Sequence, residues 1–96
     1  MGLDGKQRRK LRAMGHHLTV VVQVGHDGVT DGVLAALEQA LWDHELVKVK
    51  LASEDRETRK EQAEALASGT GAELAQVLGR TVLLYKPNPD EPRIEL

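Results

Sequence analysis

Length, composition and charge restrict the chain to one small globular domain. Its 96 residues, 41% hydrophobic and 29% charged, suffice for a single core. The absence of cysteine excludes disulfides, thiolate metal sites and cysteine nucleophiles, and we expect a cytoplasmic protein. No apolar run approaches the roughly 20 residues that cross a bilayer, so we expect no membrane partner.

The charges are unevenly distributed although they nearly cancel. Residues 1–17 carry five basic side chains and one acid, Asp4, which gives +4 against a total of −2. The acids concentrate between residues 54 and 64 and from Asp90 onward. Because salt screens charges beyond about 8–10 Å, this local basic segment can bind phosphate although the total is slightly negative. Its basic residues are Lys6, Arg8, Arg9, Lys10 and Arg12.

The N-terminal half predicts a helix, a strand and a second helix. Residues 4–14 are typical of a short helix that stops at Gly15. Residues 18–24 form an apolar run, which predicts a strand buried on both faces. Thr30 is a good N-cap for a helix over residues 31–44.

The next predicted strand, residues 46–51, alternates between apolar and basic side chains. Its apolar residues face one way, and Lys48 and Lys50 face the other. The lysine face is either simply solvated or a continuation of the basic surface of the first helix.

The C-terminal half predicts a charged helix over residues 55–67 and two strands over residues 73–78 and 80–86. Three prolines follow, and they predict that residues 87–96 are a flexible, loosely held tail. Helical connections between the first three strands imply parallel pairing, and the final hairpin adds an antiparallel pair. The expected fold is a compact α/β sandwich of order α-β-α-β-α-β-β with one four-stranded mixed sheet.

A turn with glycine at both ends, Gly25-His26-Asp27-Gly28, lies between the first strand and the second helix. Such a turn lets the backbone of a ligand approach closely. The unpaired N–H groups at the start of the helix that Thr30 caps can bind a phosphate. GXXG loops clamp nucleic-acid backbones in KH-like domains. Asp27 would repel a phosphate, and a protonated His26 would partly offset that repulsion. A plain strand-to-helix loop, with Asp27 as a turn residue, is the alternative interpretation.

Tyr85 and the C-terminal cations are further candidates for RNA contact. Tyr85, at the end of the last strand, would either stack on a base or pack its ring in the protein. Arg80 and Lys86 are secondary candidates, and Trp42 is assigned to the core or its edge. With two aromatic residues, the chain lacks the stacking side chains of an RNA-recognition motif or a cold-shock barrel.

The sequence offers no pattern typical of an enzyme or a metal site. Its four histidines lack a recognisable ligand spacing, and the acids of residues 54–64 alternate with basic residues as on an exposed helix face. A Walker loop, a dinucleotide fingerprint and a serine–histidine–acid set are all missing. We therefore expect a protein that is not an enzyme and has no metal, no cofactor and no small-molecule substrate.

The chain resembles the CRM domain (chloroplast RNA splicing and ribosome maturation), and in particular the stand-alone bacterial YhbY-like proteins. The resemblance covers nearly the whole chain and is carried by KQRRKLR (6–12), VGHDGVT (24–30), HELVKVK (44–50) and GRTVLLYK (79–86). It implies an α/β sandwich similar to the C-terminal domain of translation initiation factor three, with the domain over residues 1–86.

The resemblance also implies a function, because bacterial members are associated with precursors of the large ribosomal subunit. It places the RNA-binding surface at Gly25, Gly28 and the basic first helix, whose cations would flank the turn. We therefore expect a monomeric RNA-binding protein that grips the backbone of structured ribosomal RNA and assists large-subunit assembly. Asp27, and Lys86 in place of an arginine, depart from the family pattern. The alternative is a protein–protein adaptor that docks on a ribosomal protein or assembly factor, which the acidic third helix favours.

Overall fold

The computed structural model describes residues 2–96, and the predicted order of helices and strands is confirmed. Their ends agree with the sequence within a few residues, and the largest difference is the third helix, which continues to Thr70. None of the helices within residues 2–96 is both long and apolar enough to span a membrane. The elements are α1 (Gly5–Gly15), β1 (Val20–Val24), α2 (Asp31–His44), β2 (Leu46–Leu51), α3 (Arg56–Thr70), β3 (Glu73–Leu78) and β4 (Thr81–Tyr85).

The four strands form one mixed sheet in the order β1-β2-β4-β3. β1 pairs with β2 in parallel, while β4 pairs antiparallel with both β2 and β3. The expectation that the third strand pairs with the second is wrong, because β4 lies between them. The four apolar residues 82–85 are all buried, as an inner strand covered on both faces requires.

β1 is an edge strand, and the expectation that it is buried on both faces is wrong. Val22 and Val24 are buried, but Val21 is 52% exposed. The register shifts between Val20 and Val22, so one extra residue is accommodated on this edge. The run of valines therefore reflects a strand with one covered face and one largely open face.

Two apolar clusters lie on the two sides of the sheet. α2 and α3 cover one side, and α1 covers part of the other. The two sides of the sheet are named the α2/α3 side and the α1 side after these helices. The α2/α3 cluster is Val22, Val24, Leu37, Leu41, Val47, Val49, Leu51, Ala63, Leu66, Val82 and Leu84. The α1 cluster is Leu11, Leu46, Ala75, Leu83 and Tyr85.

Short polar residues begin all three helices. Asp4 and Gln7 form a reciprocal capping box, in which the Gln7 N–H donates to Asp4 Oδ1 at 2.8 Å. Thr30 caps α2 as predicted, with its Oγ1 accepting from the Val33 N–H at 3.1 Å. The hydroxyl and N–H of Thr58 donate to the Asp55 carboxylate and, with the charge of Arg59, hold its pKa below the ordinary value.

Residues 87–96 have defined partners on the body of the protein, and three of their hydrogen bonds go to Glu45. Its buried carboxylate accepts from the backbone N–H groups of Asn88, Arg93 and Ile94 at 2.6–2.7 Å. Ile94 packs against the α1 cluster. The segment expected to be a loosely held tail thus lies against the body. Its mobility in solution, and a domain boundary at residue 86, stay predictions.

The environment of Glu45 acts on its pKa in two opposing directions. Burial raises the pKa of the carboxyl, whereas the three N–H groups and the charge of Arg93 lower it. The net pKa lies below the ordinary value, so the carboxylate is charged at neutral pH. The backbone of Glu45 is also unusual, with φ of +63° directly after α2.

Candidate nucleic-acid interface

The first part of the candidate interface is the set of cations on α1. Leu11 is buried against the sheet, while Lys6, Arg8, Arg9 and Lys10 are exposed and Arg12 is half-buried. Gly15 lets the end of the helix approach closely, because a Cβ there would overlap the Leu83 side chain. The one acid of this segment, Asp4, is occupied in capping the helix. Four of the five cations are therefore exposed, and no carboxylate stands between the five in sequence.

Lys48 and Lys50 project from the α1 side of the sheet. In the register, Lys48 is opposite Leu83, a member of the α1 cluster, and Lys50 is opposite Thr81. Lys50 is exposed, and Lys48 is half-buried. Both interpretations of this strand face stay open, since the lysines share one side of the sheet with α1 and Lys50 is also exposed to solvent.

The Gly25–Gly28 turn is closed by a hydrogen bond from the Gly28 N–H to the Gly25 carbonyl at 3.1 Å. Gly28 has φ of +75°, a conformation that favours glycine. A Cβ on Gly25 would meet no atom within 4 Å, so the space in front of this residue is open. His26 and Asp27, between them, are exposed. The two glycines thus differ, because the backbone requires Gly28 whereas Gly25 keeps the approach clear.

The start of α2 offers fewer N–H groups to a phosphate than the sequence suggests. Thr30 already accepts from the Val33 N–H, which leaves the amides of Asp31 and Gly32 without helical partners. The Asp31 side chain lies in the first helical turn, and Asp27 precedes it in the loop. These carboxylates oppose an anion, so the turn alone is a weak phosphate site.

The turn and the beginning of α1 lie at opposite ends of the sheet. Arg8 lines a cavity with Glu73, the first residue of β3, at the end where β2 begins. The Gly25–Gly28 turn follows β1 at the end where β2 finishes. The six residues of β2 separate these ends by roughly 17 Å at about 3.3 Å per residue. Arg8 therefore does not flank the turn, contrary to the sequence-based expectation, because α1 crosses the far part of the sheet.

Three of the remaining candidate cations have partners within the protein. Arg80 Nη2 pairs with Glu54 Oε1 at 2.8 Å, and both side chains are largely exposed. Lys86 Nζ donates to the Thr70 carbonyl at 2.7 Å, at the end of α3. Lys10 Nζ donates to the carbonyl of Glu95. An exposed ion pair such as that of Arg80 is worth at most about 1 kcal/mol, so an RNA phosphate can replace Glu54.

Tyr85 follows one of its two expected interpretations, whereas Trp42, expected in the core or at its edge, is half exposed. Tyr85 is only 6% exposed and packs in the α1 cluster, which is the packing interpretation. Burial, together with the charge of Glu45, raises the pKa of its hydroxyl. Trp42 is 49% exposed at the end of α2. The ring that faces solvent is therefore that of Trp42.

Gln62 of α3 is a residue of this region that the sequence did not identify. Its Nε2 lies 3.7 Å from the position that a Cβ on Gly28 would take. Its Oε1 is buried and, within residues 2–96, has no hydrogen-bond partner. Nothing in the charged pattern of α3 marks this position. In the same residues, no three histidine or acidic side chains come together as a possible metal site.

Comparisons with known proteins agree with the sequence resemblance. A family model described as the CRS1/YhbY (CRM) domain matches residues 3–86. The chain is 42% identical over 94 residues to the "Probable RNA-binding protein YqeI" of Bacillus subtilis, covering 98% of each chain. It is 44% identical over 94 residues to a protein of Haemophilus influenzae named RNA-binding protein, covering 98% of this chain and 94% of that one.

The fold also has a counterpart among solved structures. A solution structure from Staphylococcus aureus, of a hypothetical protein proposed to bind RNA, superimposes with a TM-score of 0.86. The two sequences are 33% identical, and the superposition covers 98% of both chains. The fold and the sequence pattern thus point to the same group of proteins.

Proposed function

The chain belongs to the CRS1/YhbY (CRM) domain family, and from this we propose that it is an RNA-binding protein that holds the backbone of structured ribosomal RNA and assists large-subunit assembly. The observation that carries the proposal is that α1, with its four exposed cations, lies on the same side of the sheet as Lys48 and Lys50. The names of the relatives from Bacillus subtilis and Haemophilus influenzae support RNA as the ligand.

In this proposal the α1 side supplies most of the affinity through charge. Each phosphate that a lysine or arginine neutralises releases counterions, and this favours binding at low salt. The Gly25–Gly28 turn is a second, weaker point of backbone approach. Because about 17 Å of sheet separate it from Arg8, only an RNA long enough to span both points contacts them together.

The proposal assigns recognition to the shape of the RNA and involves no chemical step. With Tyr85 buried, the α1 side has no aromatic platform for reading bases, whereas cations and backbone amides recognise a folded sugar–phosphate chain. We propose that the protein acts as a cytoplasmic monomer, without cofactor or metal.

The direct test is the salt dependence of RNA binding in an Arg8→Ala/Arg9→Ala double variant. We expect weaker binding to every structured RNA and a salt slope reduced by about 2, since two phosphate contacts are lost. The matched control is Arg56→Ala/Lys60→Ala, which removes two exposed cations of α3 on the other side of the sheet. An unchanged slope in the Arg8/Arg9 variant, or an equal change in the control, would overturn the proposed surface.

The ribosomal part of the proposal is tested by sedimentation with ribosomal particles at low salt. We expect the protein to migrate with precursors of the large subunit and to be released by high salt or RNase. Migration that survives RNase would favour the adaptor alternative instead. A protein that stays at the top of the gradient would contradict a ribosomal role while leaving RNA binding to the salt experiment.

A further inference from the structure

A mostly apolar cavity lies beside Lys48 at the β1 edge of the sheet, on the α1 side. Its walls include Met14 near the end of α1, Leu18 and Val21 before and within β1, and Ile94 of the C-terminal segment. Val21 is 52% exposed, so the cavity opens to solvent. Its volume of about 340 Å³ is near the lower end of the range of small-molecule sites, about 300–1,000 Å³. This volume suits one planar ring with its sugar rather than a run of stacked rings.

The walls of this cavity are fixed by hydrogen bonds and by packing. The Leu18 N–H donates to the Gly15 carbonyl at 3.1 Å, which holds the connection from α1 to β1. The Ile94 N–H donates to Glu45 Oε1 at 2.7 Å, which holds the C-terminal wall. Met14, Leu18 and Ile94 also pack against the buried α1 cluster. A ligand that enters the cavity therefore causes little loss of conformational freedom in the protein.

The formal charge in the lining of the cavity has one sign. Lys48 is half-buried there, and within residues 2–96 no aspartate or glutamate lines the cavity. The Lys48 ammonium forms no ion pair in the same residues. Lys50 is exposed on the same face of β2. A ligand that joins an apolar ring to a negative charge therefore complements both the walls and the lysine.

The acids next to lining residues in the sequence have other contacts nearby. The Glu45 carboxylate is buried and accepts three backbone N–H groups. Asp43 accepts a hydrogen bond at 3.1 Å from a glutamine side chain one turn earlier in α2. Glu95 is exposed, and its carbonyl accepts from the Lys10 ammonium, which brings a cation of α1 beside it. Lys48 is thus the charged residue that a ligand inside the cavity meets directly.

We propose that this cavity binds one unstacked nucleobase of the RNA that the α1 side holds, an inference that rests on the proposed function. The base lies between the aliphatic walls, and Lys48 pairs with a phosphate beside it. Bases splayed out of single-stranded loops enter protein pockets, where apolar as well as aromatic side chains hold them. The Thr19 hydroxyl also lines the cavity and can donate to, or accept from, the edge of the base.

The position of the cavity favours a nucleobase over an apolar side chain of a partner protein. Lys48, Lys50 and the four exposed cations of α1 lie on this side of the sheet, and together they attract a polyanion. An apolar side chain would cover the walls and leave Lys48 beside them without a counter-ion. A nucleotide supplies the ring and the counter-ion together. Because aliphatic walls contact any base, the cavity holds a base without selecting its identity.

The test uses Ile94, which is the only isoleucine of the chain, so isotope-labelled isoleucine gives methyl NMR signals of one residue. The intact protein is titrated at low salt with a short oligouridylate and with a matched ribose–phosphate chain that lacks the bases. We expect the Ile94 methyl signals to shift in a saturable way with the oligouridylate only, while amide signals of α1 shift with both probes. Shifts of α1 without any of Ile94 would overturn the base site and leave the proposed RNA surface standing. No shift with either probe would overturn both.

Two exposed valines on the two edge strands provide matched variants. Val21 and Val77 are 52% and 44% exposed, and Val77 lies outside the cavity. Val21→Ala removes two methyl groups from the wall and is expected to weaken the oligouridylate about two- to fivefold, leaving the baseless chain unchanged. Val77→Ala is expected to change neither. Equal losses in the two variants, or for the two probes, would contradict a base-binding site.

A protein occupant has its own outcome in the same experiment. A Gly–Ser peptide that carries leucine at its centre is titrated under the same conditions. We expect it to leave the Ile94 methyl signals in place. A saturable shift with this peptide, and none with the oligouridylate, would make the cavity a protein-docking site and the proposal wrong.

Discussion

The two sides of the sheet differ in how many residues they bury and in which charges they expose. Within residues 2–96, the α2/α3 side buries eleven residues in one cluster, whereas the α1 side buries five. The outer face of α3 bears exposed acids, while the α1 side bears the basic residues of α1 and two lysines of β2. The side with the larger apolar cluster thus carries acids and cations mixed on α3, whereas the side with the smaller cluster carries the cations of α1 without alternating acids.

The largest effect on stability is expected from a substitution in the larger, α2/α3 cluster. Leu66→Ala removes a fully buried side chain and is expected to lower the free energy of unfolding by about 2–5 kcal/mol. Leu11→Ala in the smaller cluster is expected at the low end of that range, because α1 can settle into the space. Urea denaturation of both variants measures the difference. An equal loss, or a greater loss for Leu11→Ala, would refute the division of stability.

The second-largest effect on stability is expected at Glu45, which directly follows α2. Its carboxylate binds the C-terminal segment that reaches the α1 cluster through Ile94. Glu45→Gln replaces a buried charged acceptor of three N–H groups and is expected to cost about 1.5–3 kcal/mol at pH 7. Glu61→Gln, an exposed acid, serves as the control and should stay within about 0.5 kcal/mol. Thermal denaturation at neutral pH distinguishes the two.

The same residue gives the protein a pH dependence of defined sign. The folded pKa of Glu45 lies below its ordinary value of 4.5. Its contribution is therefore complete above the unfolded pKa and is lost as the pH falls through the folded pKa. We expect the stability difference between the wild type and Glu45→Gln to shrink on acidification below about pH 4.5. A difference that grows in acid would contradict the lowered pKa.

A smaller effect is expected at the Gly25–Gly28 turn, where the two glycines act as a matched pair. Gly28→Ala places a side chain at φ of +75° and is expected to cost about 1–2 kcal/mol. Gly25→Ala meets open space and should leave the stability nearly unchanged. If the turn admits an RNA backbone, Gly25→Ala weakens RNA binding without destabilising the fold. Unchanged RNA affinity in that variant would remove the turn from the interface.

The smallest stability effect is expected on the cationic side. Lys48→Ala/Lys50→Ala should change the free energy of unfolding by less than about 1 kcal/mol, as exposed or half-exposed positions usually do. The same variant should lower the salt slope of RNA binding by about 2. Denaturation and binding at several salt concentrations are measured on the same preparation. A large loss of stability with an unchanged slope would reverse the roles assigned to the two sides.

Much of the fold could be predicted from the sequence because its signals are local. The alternation over residues 46–51 depends only on neighbouring residues, and so does the cap at Thr30. The inner position of β4 is a long-range property, since either strand of the final hairpin could have paired with β2. The unbroken apolar run of residues 82–85 favours burial on both faces and could have indicated the choice.

The candidate site was less predictable because it depends on which residues meet. The chain has one tyrosine, Tyr85, and one tryptophan, Trp42. Only the packing of the sheet decides which of the two is exposed. Glu45 has no local mark of burial, because its N–H partners lie 43–49 residues further along the chain. The position of Arg8 relative to the turn likewise depends on how α1 crosses the sheet.

The inner position of β4 also governs when the sheet can be completed. β4 is synthesised after the other three strands, yet it joins β2 to β3. At about 5–20 residues per second, roughly 2–7 s pass on the ribosome between the end of β2 and the end of β4. Throughout that interval one edge of β2 is without a strand, which is the state most exposed to wrong pairing. The native sheet can therefore be completed only after β4 has been synthesised, because β4 supplies the pairing on both of its edges.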